Sequence, residues 1–390
     1  MSGVRLDRLT EVLVPIAAPG TDPEMLASLL AWAVRPRRTL ESLRRLMRDT
    51  GAEDPVSSAR WRLHIETQLR EDDVRAAMPL VVPWRARGCR LAMVGDPAYP
   101  DRVADGWPDS DAPILLAMAG ALPPDGPAVA IVGSRRATSY GSGVAAWLAG
   151  AASAAGVRVV SGGAIGVDAA AHRGAVGGPG GTTVVLGCGH DVDYPRPHAR
   201  AGGLFDEVRA HGGTILSEQL PFAPPRAGVV RARNRIVAAL ADVTVVVEGG
   251  TRSGALLTAS AAIERGRPVL AVPGDVRAPG SAAPHRLLAE GAAPCTGPDD
   301  LLDALGSSAP AAAPEVDGVG DRGGLPTPLF AVLAAAWPRA IPMGQIADDS
   351  GMATGAALAA LTRAQVAGVV VERPDGLVLR RSPSRTTSPT

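Results

Sequence analysis

The chain has 390 residues and a formal net charge of zero, with 46% hydrophobic but only 3% aromatic residues. Its 39 basic residues are all arginine, because the sequence contains no lysine, and 39 acidic residues balance them. The length predicts two or three domains. The charge balance excludes binding through a global positive field, so any nucleic-acid site must be a local patch. With 46 Gly and 35 Pro, the composition favours an α/β fold with many turns.

Cysteine usage and hydropathy bear on the compartment. Cys89, Cys188 and Cys295 are widely spaced, odd in number and without a CxxC pair. This pattern predicts a reducing compartment and no zinc site. No apolar stretch reaches the length of a bilayer span, and the N-terminus lacks a signal-like segment. We therefore expect a cytoplasmic protein that does not insert into a membrane.

Residues 1–80 are predicted to form a small helical accessory domain, similar to SAM domains. Asp22 is placed to cap a helix over DPEMLASLLAWAV, a second helix is predicted over 39–51, and a third over WRLHIETQLREDDVRAAM. Their apolar spacing predicts mutual packing. Nothing in this domain has the spacing of a catalytic site.

Residues 88–305 alternate between short apolar runs and helical patterns. Predicted strands cover 114–118, 128–132, 157–160, 182–186, 214–216, 243–247 and 268–272. Predicted helices between them cover 139–155, 167–176, 204–210, 234–240 and 254–264. This alternation predicts right-handed βαβ units in an α/β, doubly wound parallel sheet of the Rossmann-like type.

The C-terminal part is predicted to be a separate domain. Residues 306–325, rich in Ala, Pro and Gly, are expected to be a flexible linker. Residues 326–381 show three helical patterns and a hairpin turning at Asp375 and Gly376, which together predict a winged helix. The tail, 382–390, is predicted to be disordered.

Four loops follow predicted strands directly and should gather at one edge of the sheet. They are GSRRATSYG (133–141), SGGAIGVD (161–168), GCGHDVDYPRPH (187–198) and EGGTRSGALLTA (248–259). Arg135 and Arg136 supply charge, and the glycines permit close approach of backbone to a ligand at a helix N-terminus. Each loop alone could be a tight connection, but four in register predict a phosphate-binding groove.

The segment RARNRIVAALAD adds Arg231, Arg233 and Arg235 before an apolar helix. With Arg135 and Arg136, these side chains could follow a sugar-phosphate backbone. The alternative is a solvated or ion-paired face.

Ordinary cofactor and enzyme signatures are missing from the sequence. No loop that follows a predicted strand reads GxGxxG, and no segment reads GxxxxGK[ST], which excludes the common dinucleotide and P-loop ATPase sites. There is no GxSxG nucleophile elbow, and Cys188 has no predictable base. His172 and His190 are scattered and are predicted to be structural rather than metal ligands. We expect no catalytic residue, no metal and no cofactor.

Taken together, VAIVGSRRATSYG, VSGGAIGVDAAAHRGAV, TTVVLGCGHDVDYP, RARNRIVAALAD and VVVEGGTRSGALLTASAAIERGRPVLAVPGD closely resemble the DNA processing protein A (DprA, also called Smf) family over roughly residues 88–300. The resemblance implies an extended Rossmann-like fold without a nucleotide cofactor. It implies a homodimer that binds single-stranded DNA, protects it and helps to load RecA recombinase during natural transformation, without catalysis.

The candidate DNA-binding residues come from the loops and the resemblance. They are Gly133, Ser134, Arg135, Arg136, Ser161, Gly162, Gly163, Gly166, Asp168, Arg233, Asn234, Arg235, Gly250, Ser253 and Gly254.

The sequence departs from the family pattern at several positions. Ile165 and Gly181 stand where relatives often carry a basic residue, so two positive contacts are expected to be missing. Arg173 or Arg196 could compensate. His198 replaces an Asn of the family pattern, and Ser281, Ala283 and His285 stand in place of a Ser-x-Gly-x-Asn pattern.

Two other functions remain open. EGGTRSGALLT resembles the PGGxGT turn of phosphoribohydrolases, which would make Glu248 the suspected catalytic residue of a nucleotide-processing hydrolase, although here the Glu precedes the glycines and the Pro is absent. Alternatively, the winged helix could bind duplex DNA as a regulator. Its third helix offers only Arg363 as a charged contact, and duplex binding needs more contacts than this.

Overall fold

The computed structural model describes residues 5–34, 65–105, 111–123, 126–306, 325–336, 340–366, 369–373 and 376–379. The chain divides into two compact units, Met1–Ala309 and Pro310–Thr390. The helix predicted over 39–51, most of the predicted linker and the predicted tail lie outside the described residues. No helix within those described ranges is both long enough and apolar enough to span a membrane.

The first unit is built on a nine-stranded sheet with the order β1-β2-β6-β5-β4-β3-β7-β8-β9. The strands are β1 Cys89–Met93, β2 Leu115–Gly120, β3 Ala128–Val132, β4 Arg158–Ser161, β5 Thr182–Val185, β6 Thr214–Ser217, β7 Val243–Val246, β8 Val269–Ala271 and β9 Ala293–Pro294. From β6 to β9 all neighbouring strands are parallel. The predicted α/β class and doubly wound Rossmann-like sheet are therefore confirmed.

The strand order reverses between β3 and β7, because the chain proceeds from β3 to β6 on one side and from β7 to β9 on the other. The carboxyl ends of β3 and β7 therefore flank the topological switch point, where open α/β sheets bind their ligands. Sequence patterns did not predict the antiparallel pairing of β1 with β2 and of β2 with β6, which adds an antiparallel ribbon to the parallel sheet.

Helices cover both faces of the sheet. They are α1 Asp7–Leu13, α2 Pro23–Ala33, α3 Glu71–Ala86, α4 Asp101–Ala104, α5 Ser139–Ala154, α6 Val167–Ala175, α7 Arg196–Ala199, α8 Leu204–Ala210, α9 Ala227–Ala232, α10 Asn234–Leu240, α11 Ala255–Glu264, α12 Ala282–Ala289 and α13 Pro298–Ala304. In β3, Val129 and Ile131 join the core of one face, while Ala130 and Val132 join the other. This alternation follows from the two-residue period of a strand.

The N-terminal helices share a core with the sheet. Asp22 caps α2 as predicted, accepting a hydrogen bond from the Glu24 backbone at 2.9 Å. One apolar cluster joins Leu9 and Leu26 to Leu91 of β1 and Ile215 of β6. Burial against strands, rather than packing among the helices alone, therefore stabilises this region.

Helix α3 continues beyond the end predicted near residue 77 and contains Pro79 and Pro83. A proline inside a helix removes a backbone hydrogen bond and normally ends or bends it. Here Val81 and Trp84 are fully buried on the same turns. Their burial offsets the lost hydrogen bonds, so tertiary packing overrides the local signal.

Among its described residues, the second unit contains three helices and two antiparallel strands. They are α14 Thr327–Ala336, α15 Met343–Asp349, α16 Thr354–Val366, β10 Val370–Arg373 and β11 Gly376–Leu379. Arg373 pairs with Gly376, so Gly376 belongs to the strand and not to the turn in which we predicted it. A further bridge joins Ile341 to Leu377. The assignment of these elements to a winged helix stays a prediction.

Candidate nucleic-acid interface

Loops from the carboxyl edge of the sheet enclose an open groove of about 1120 Å³. This exceeds the range of roughly 300 to 1,000 Å³ that is usual for small-molecule sites. The groove runs from the loops after β3 and β4, past α9, to α11 and α12. Its arginines are Arg135, Arg136, Arg231, Arg233, Arg252 and Arg286. The groove therefore offers an extended basic surface suited to a polyanion.

The loop after β3 places Arg135 and Arg136 in solvent. The Ser134 hydroxyl accepts a hydrogen bond from the Arg136 backbone at 3.0 Å and fixes the turn. The Arg135 guanidinium donates to the Tyr194 hydroxyl at 3.2 Å. Arg135 is therefore held at the groove by the loop that follows β5.

The N-terminus of α5 is occupied by a carboxylate of the chain itself. Thr138 donates to the buried Glu248 through its backbone N–H at 2.9 Å and through its hydroxyl at 2.5 Å. The same hydroxyl accepts from the Gly141 backbone at 3.1 Å. A side chain on Gly141 would overlap the Glu248 carboxylate. Thr138 is therefore the N-cap of α5, and the Glu248 carboxylate fills the start of this helix.

The SGGAIGVD turn is organised around Asp168, which is buried. Its carboxylate accepts from the backbone of Gly162 at 3.1 Å and of Ala164 at 3.3 Å. Burial raises the pKa of Asp168, while the Arg233 charge and these backbone hydrogen bonds oppose the rise. Asp168 therefore shapes the turn and supplies a negative charge beneath the groove.

Glycines let this turn approach its neighbours. Gly166 has φ +87°, and a side chain there would overlap the Ser134 carbonyl oxygen. Gly163 also has a positive φ, and the buried Ser161 hydroxyl donates to the Ile131 carbonyl at 2.7 Å. The loops after β3 and β4 are thus locked together.

Arg233 lies in the floor of the groove with only 6% of its surface exposed. A side chain on Gly162 would overlap its guanidinium, so Gly162 makes room for it. The Arg233 Nε atom has no hydrogen-bond partner among the described residues. Burial lowers the pKa of Arg233, and the Asp168 charge opposes that shift. A buried, incompletely paired cation therefore faces the ligand space.

The other two residues of the RNR segment have partners within the protein, and only Asn234 of the two lines the groove. Arg235 donates to the Glu218 carboxylate at 2.5 and 2.9 Å and to the Asp111 carbonyl at 2.8 Å. It is absent from the groove lining. Asn234 is buried and donates to the Gly254 carbonyl at 3.1 Å, which ties α10 to the start of α11. The structure thus separates Arg235 from the other candidate residues.

The loop after β7 forms another side of the groove with Gly250, Ser253 and Gly254. Gly250 is exposed, and a side chain there would meet nothing within 4 Å. The Ser253 hydroxyl accepts from the Ala255 backbone at 3.3 Å at the start of α11. Sequence reasoning missed Arg252 in this loop and Arg286 of α12. For Arg286 no local sequence signal existed, because only the fold brings α12 to the groove.

Gly181 does not belong to the groove. It precedes β5, whereas the groove loops follow the parallel strands, so about 16 Å of strand separates the two edges. A side chain at Gly181 would lie 3.5 Å from the Arg158 guanidinium, at the opposite edge. Our expectation that Gly181 removes a contact beside Arg135 is therefore inconsistent with this geometry. Ile165 is 45% exposed in the loop after β4, on the groove edge.

The proposed compensating residues also differ in position. Exposed Arg196 begins α7 in the loop after β5, on the groove edge. Arg173 lies six residues into α6, about 9 Å along the helix from that edge. Buried His198 contacts the Gly163 carbonyl at 3.0 Å and braces the turn, and His285 contacts the Gly274 carbonyl at 3.1 Å. The departures at His198 and His285 therefore have structural roles.

Buried histidines and thiols lie within the fold. Burial lowers the pKa of His172 to about 3 and of His190 to about 4, which keeps both rings neutral. Burial also raises the pKa of Cys188 to about 11, so the thiol is not a ready nucleophile. In the described parts of the chain, no three His, Cys, Asp or Glu side chains are grouped as metal ligands would be.

The fold and groove define a Rossmann-like α/β protein with a basic groove at its topological switch point. Residues 90–306 match the family model for DNA recombination-mediator protein A. The chain belongs to that family.

Individual relatives agree with this assignment. The chain is 40% identical over 251 residues to a DprA relative from Mycobacterium tuberculosis, covering 62% of this chain and 63% of the relative. It is 35% identical over 259 residues to the protein Smf of Escherichia coli, covering 65% of this chain and 68% of that protein. The alignment thus spans slightly less than two thirds of the M. tuberculosis relative.

The fold is also found in a solved structure. The X-ray structure of DNA processing protein A (DprA) from Streptococcus pneumoniae superimposes with a TM-score of 0.53 and 30% identity. The match covers 67% of this chain and 86% of that one. The similarity extends beyond individual loops to most of the sheet and its helices.

Proposed function

We propose that this protein is a single-stranded DNA-binding recombination mediator whose strand lies in the basic groove. Family membership supports the general role, and the groove supports the ligand. The candidate contacts are Arg135, Arg136 and Arg233, and the exposed Gly250 leaves room for the backbone of the strand beside them. Asp168 shapes the turn after β4, and Arg235 lies outside the groove lining.

The observation that carries the proposal is Arg233. Burying a guanidinium is unfavourable, and here the Asp168 charge offsets part of that cost while the Arg233 Nε atom has no partner among the described residues. Arg135 lies close enough to lower the pKa of Arg233, so the two positive charges reinforce each other at one place. A phosphodiester group placed there would meet both, and the groove arginines Arg136, Arg231 and Arg252 would contact neighbouring phosphates.

In this proposal the protein protects incoming single strands and helps to load RecA, and it works as a homodimer. Because DNA and RecA are its partners, we place it in the cytoplasm. The proposed winged helix in the second unit has an auxiliary role, since Arg363 is the one basic residue among the described positions of α16. Specific reading of duplex DNA needs more contacts than this.

We infer that the protein is not a hydrolase. In the alternative function Glu248 would act on a nucleoside monophosphate, but its carboxylate is buried and bound to Thr138 at the start of α5. It does not line the groove. Incubating the protein with a panel of nucleoside monophosphates should release no free base. Release of base that is abolished in Glu248→Gln would establish the hydrolase instead.

The main test measures oligonucleotide affinity against salt concentration for the wild type and Arg135→Ala. Phosphate contacts should give steep salt dependence and little sequence preference. Loss of one contact should weaken binding and reduce the magnitude of the log–log slope by about 0.7. Arg75→Ala is the matched control, because the Arg75 side chain is 80% exposed on α3 and contacts only Asp72. If Arg135→Ala and the wild type shared one affinity and slope, the groove assignment would be wrong.

A further inference from the structure

The two ends of the groove differ in chemistry. The end near β3, β4 and α9 carries Arg135, Arg231 and Arg233. At the other end, α11 presents Leu256, Leu257, Ser260 and Ile263 to the same groove. Leu257 is 44% exposed and Ile263 is 58% exposed, although both are large and apolar. We call these four residues of α11 the apolar wall.

The apolar wall is one continuous stripe of its helix. At 100° per residue, Leu257 and Ile263 lie about 60° to either side of Ser260, and Leu256 lies between Ser260 and Ile263. The buried residues Thr258, Ala259 and Ala262 occupy the opposite side and join α11 to the core. None of these four residues is charged, whereas the facing loops are basic; exposed Glu264 lies about 40° from Ser260 on the same side of α11 but outside the groove lining. An exposed apolar surface beside a cationic one is suited to a ligand with both characters.

We propose that the apolar wall is the base-binding side of the groove, so that the strand lies with its phosphates on the arginines and its bases against α11. This rests on the proposed function and extends it. Single-stranded DNA has this dual character, with a charged backbone and uncharged base faces that favour nonpolar contact. Charge complementarity argues for the same occupant, since Glu290, the acidic residue of α12 that lines this end of the groove, is paired with Arg286 at 2.8 Å.

The proposal predicts that base contact and phosphate contact can be separated. The variant Leu257→Ser/Ile263→Ser loses apolar surface but no charge. It should bind a thymidine homopolymer about five-fold more weakly. This loss of affinity lies at the lower end of the range that is usual when one base loses its stacking contact. Its salt slope should match the wild type, because no phosphate contact is removed. Arg135→Ala should show the opposite pattern, with a reduced slope.

The experiment compares a thymidine oligonucleotide with a strand of equal length made of abasic sites, by fluorescence anisotropy. The wild type should prefer the thymidine strand, and Leu257→Ser/Ile263→Ser should bind the two strands alike. Val276→Ser is the matched control, because Val276 is 84% exposed and lies outside the groove lining. Both variants change exposed side chains, and thermal melting checks that each remains folded.

The outcomes separate this inference from the proposed function. If the wild type binds both strands equally, or if the double variant keeps the wild-type preference for the thymidine strand, the apolar wall does not contact bases. Either result overturns the inference and leaves phosphate binding intact. If the wild type binds neither strand at low salt, the proposed function itself fails.

Discussion

Glu248 and Thr138 lie 110 positions apart in the sequence, yet the Glu248 carboxylate lies at the N-terminus of α5, the helix that begins directly after Thr138. Helix N-termini attract anions because their first N–H groups lack partners. In a Rossmann-like sheet the corresponding helix start, at the switch point, commonly receives a nucleotide phosphate. Here a side chain of the protein takes that position, and the groove arginines Arg135 and Arg136 lie in the loop that leads into the same helix.

Replacing Glu248 should therefore affect stability more than DNA binding. Glu248→Gln removes the negative charge from the start of α5 and should lower the free energy of unfolding by about 1 kcal/mol. Chemical denaturation measures this change. Glu264→Gln, at the exposed end of α11, serves as the control. Oligonucleotide affinity should stay near the wild-type value, and a large loss of affinity in folded Glu248→Gln would place Glu248 at the ligand after all.

Gly162 should be as important for binding as the arginine that it accommodates. Gly162→Ala places a methyl group where the Arg233 guanidinium lies, so the guanidinium must move and affinity should fall. Arg233→Ala should give a similar loss, measured by anisotropy on the same oligonucleotide. Gly344→Ala is the control, since a side chain there meets nothing within 4 Å. If Gly162→Ala bound normally while Arg233→Ala did not, the contact between these two positions would not be needed.

The two positions at which relatives carry basic residues should respond differently. Ile165→Arg adds a cation on the groove edge and should tighten oligonucleotide binding and increase the magnitude of the salt slope by about 0.7. Gly181→Lys should leave the slope unchanged, because residue 181 lies at the opposite edge. It should also cost some stability, since Gly181 has φ +62°. Equal gains from both substitutions would contradict the placement of Gly181.

Buried His190 should make stability depend on pH. Burial lowers its pKa from 6.5 to about 4 in the folded state, so between those values the unfolded chain binds a proton that the folded chain does not. The neutral His190 ring makes its full contribution to the free energy of unfolding above pH 6.5. This contribution decreases as the pH falls from 6.5 towards 4, by up to about 1.4 kcal/mol per pH unit. Denaturation at several pH values should show a shallower dependence in His190→Gln. The exposed His211→Gln is the control.

Local sequence patterns were sufficient to predict the framework of the sheet and its helices. Strand β3 has the bounds predicted from its β-branched run, and α8 and α10 begin and end where their periodicity placed them. The four groove loops could be assigned to one edge because they follow parallel strands. These features depend on residues that are close in sequence, so the period of the apolar positions determines them.

The partners of charged side chains could not be predicted in the same way. Arg235 resembles Arg233 in the sequence, but one pairs with Glu218 and the other faces the groove. Glu248 looked like a catalytic candidate until Thr138 was placed against it. Such pairs are determined by tertiary packing between distant segments. Sequence patterns can therefore locate the loops of a site without determining which of its charges remain available to a ligand.

The cluster that joins Leu26 of α2 to Ile215 of β6 has a consequence for biosynthesis. At bacterial rates of about 5 to 20 residues per second, roughly 10 to 40 s pass between synthesis of the first helices and of β6. During that interval the apolar sides of α1 and α2 lack part of their final cover. The apolar sides of α1 and α2 are therefore fully covered only after that distant strand has been synthesised.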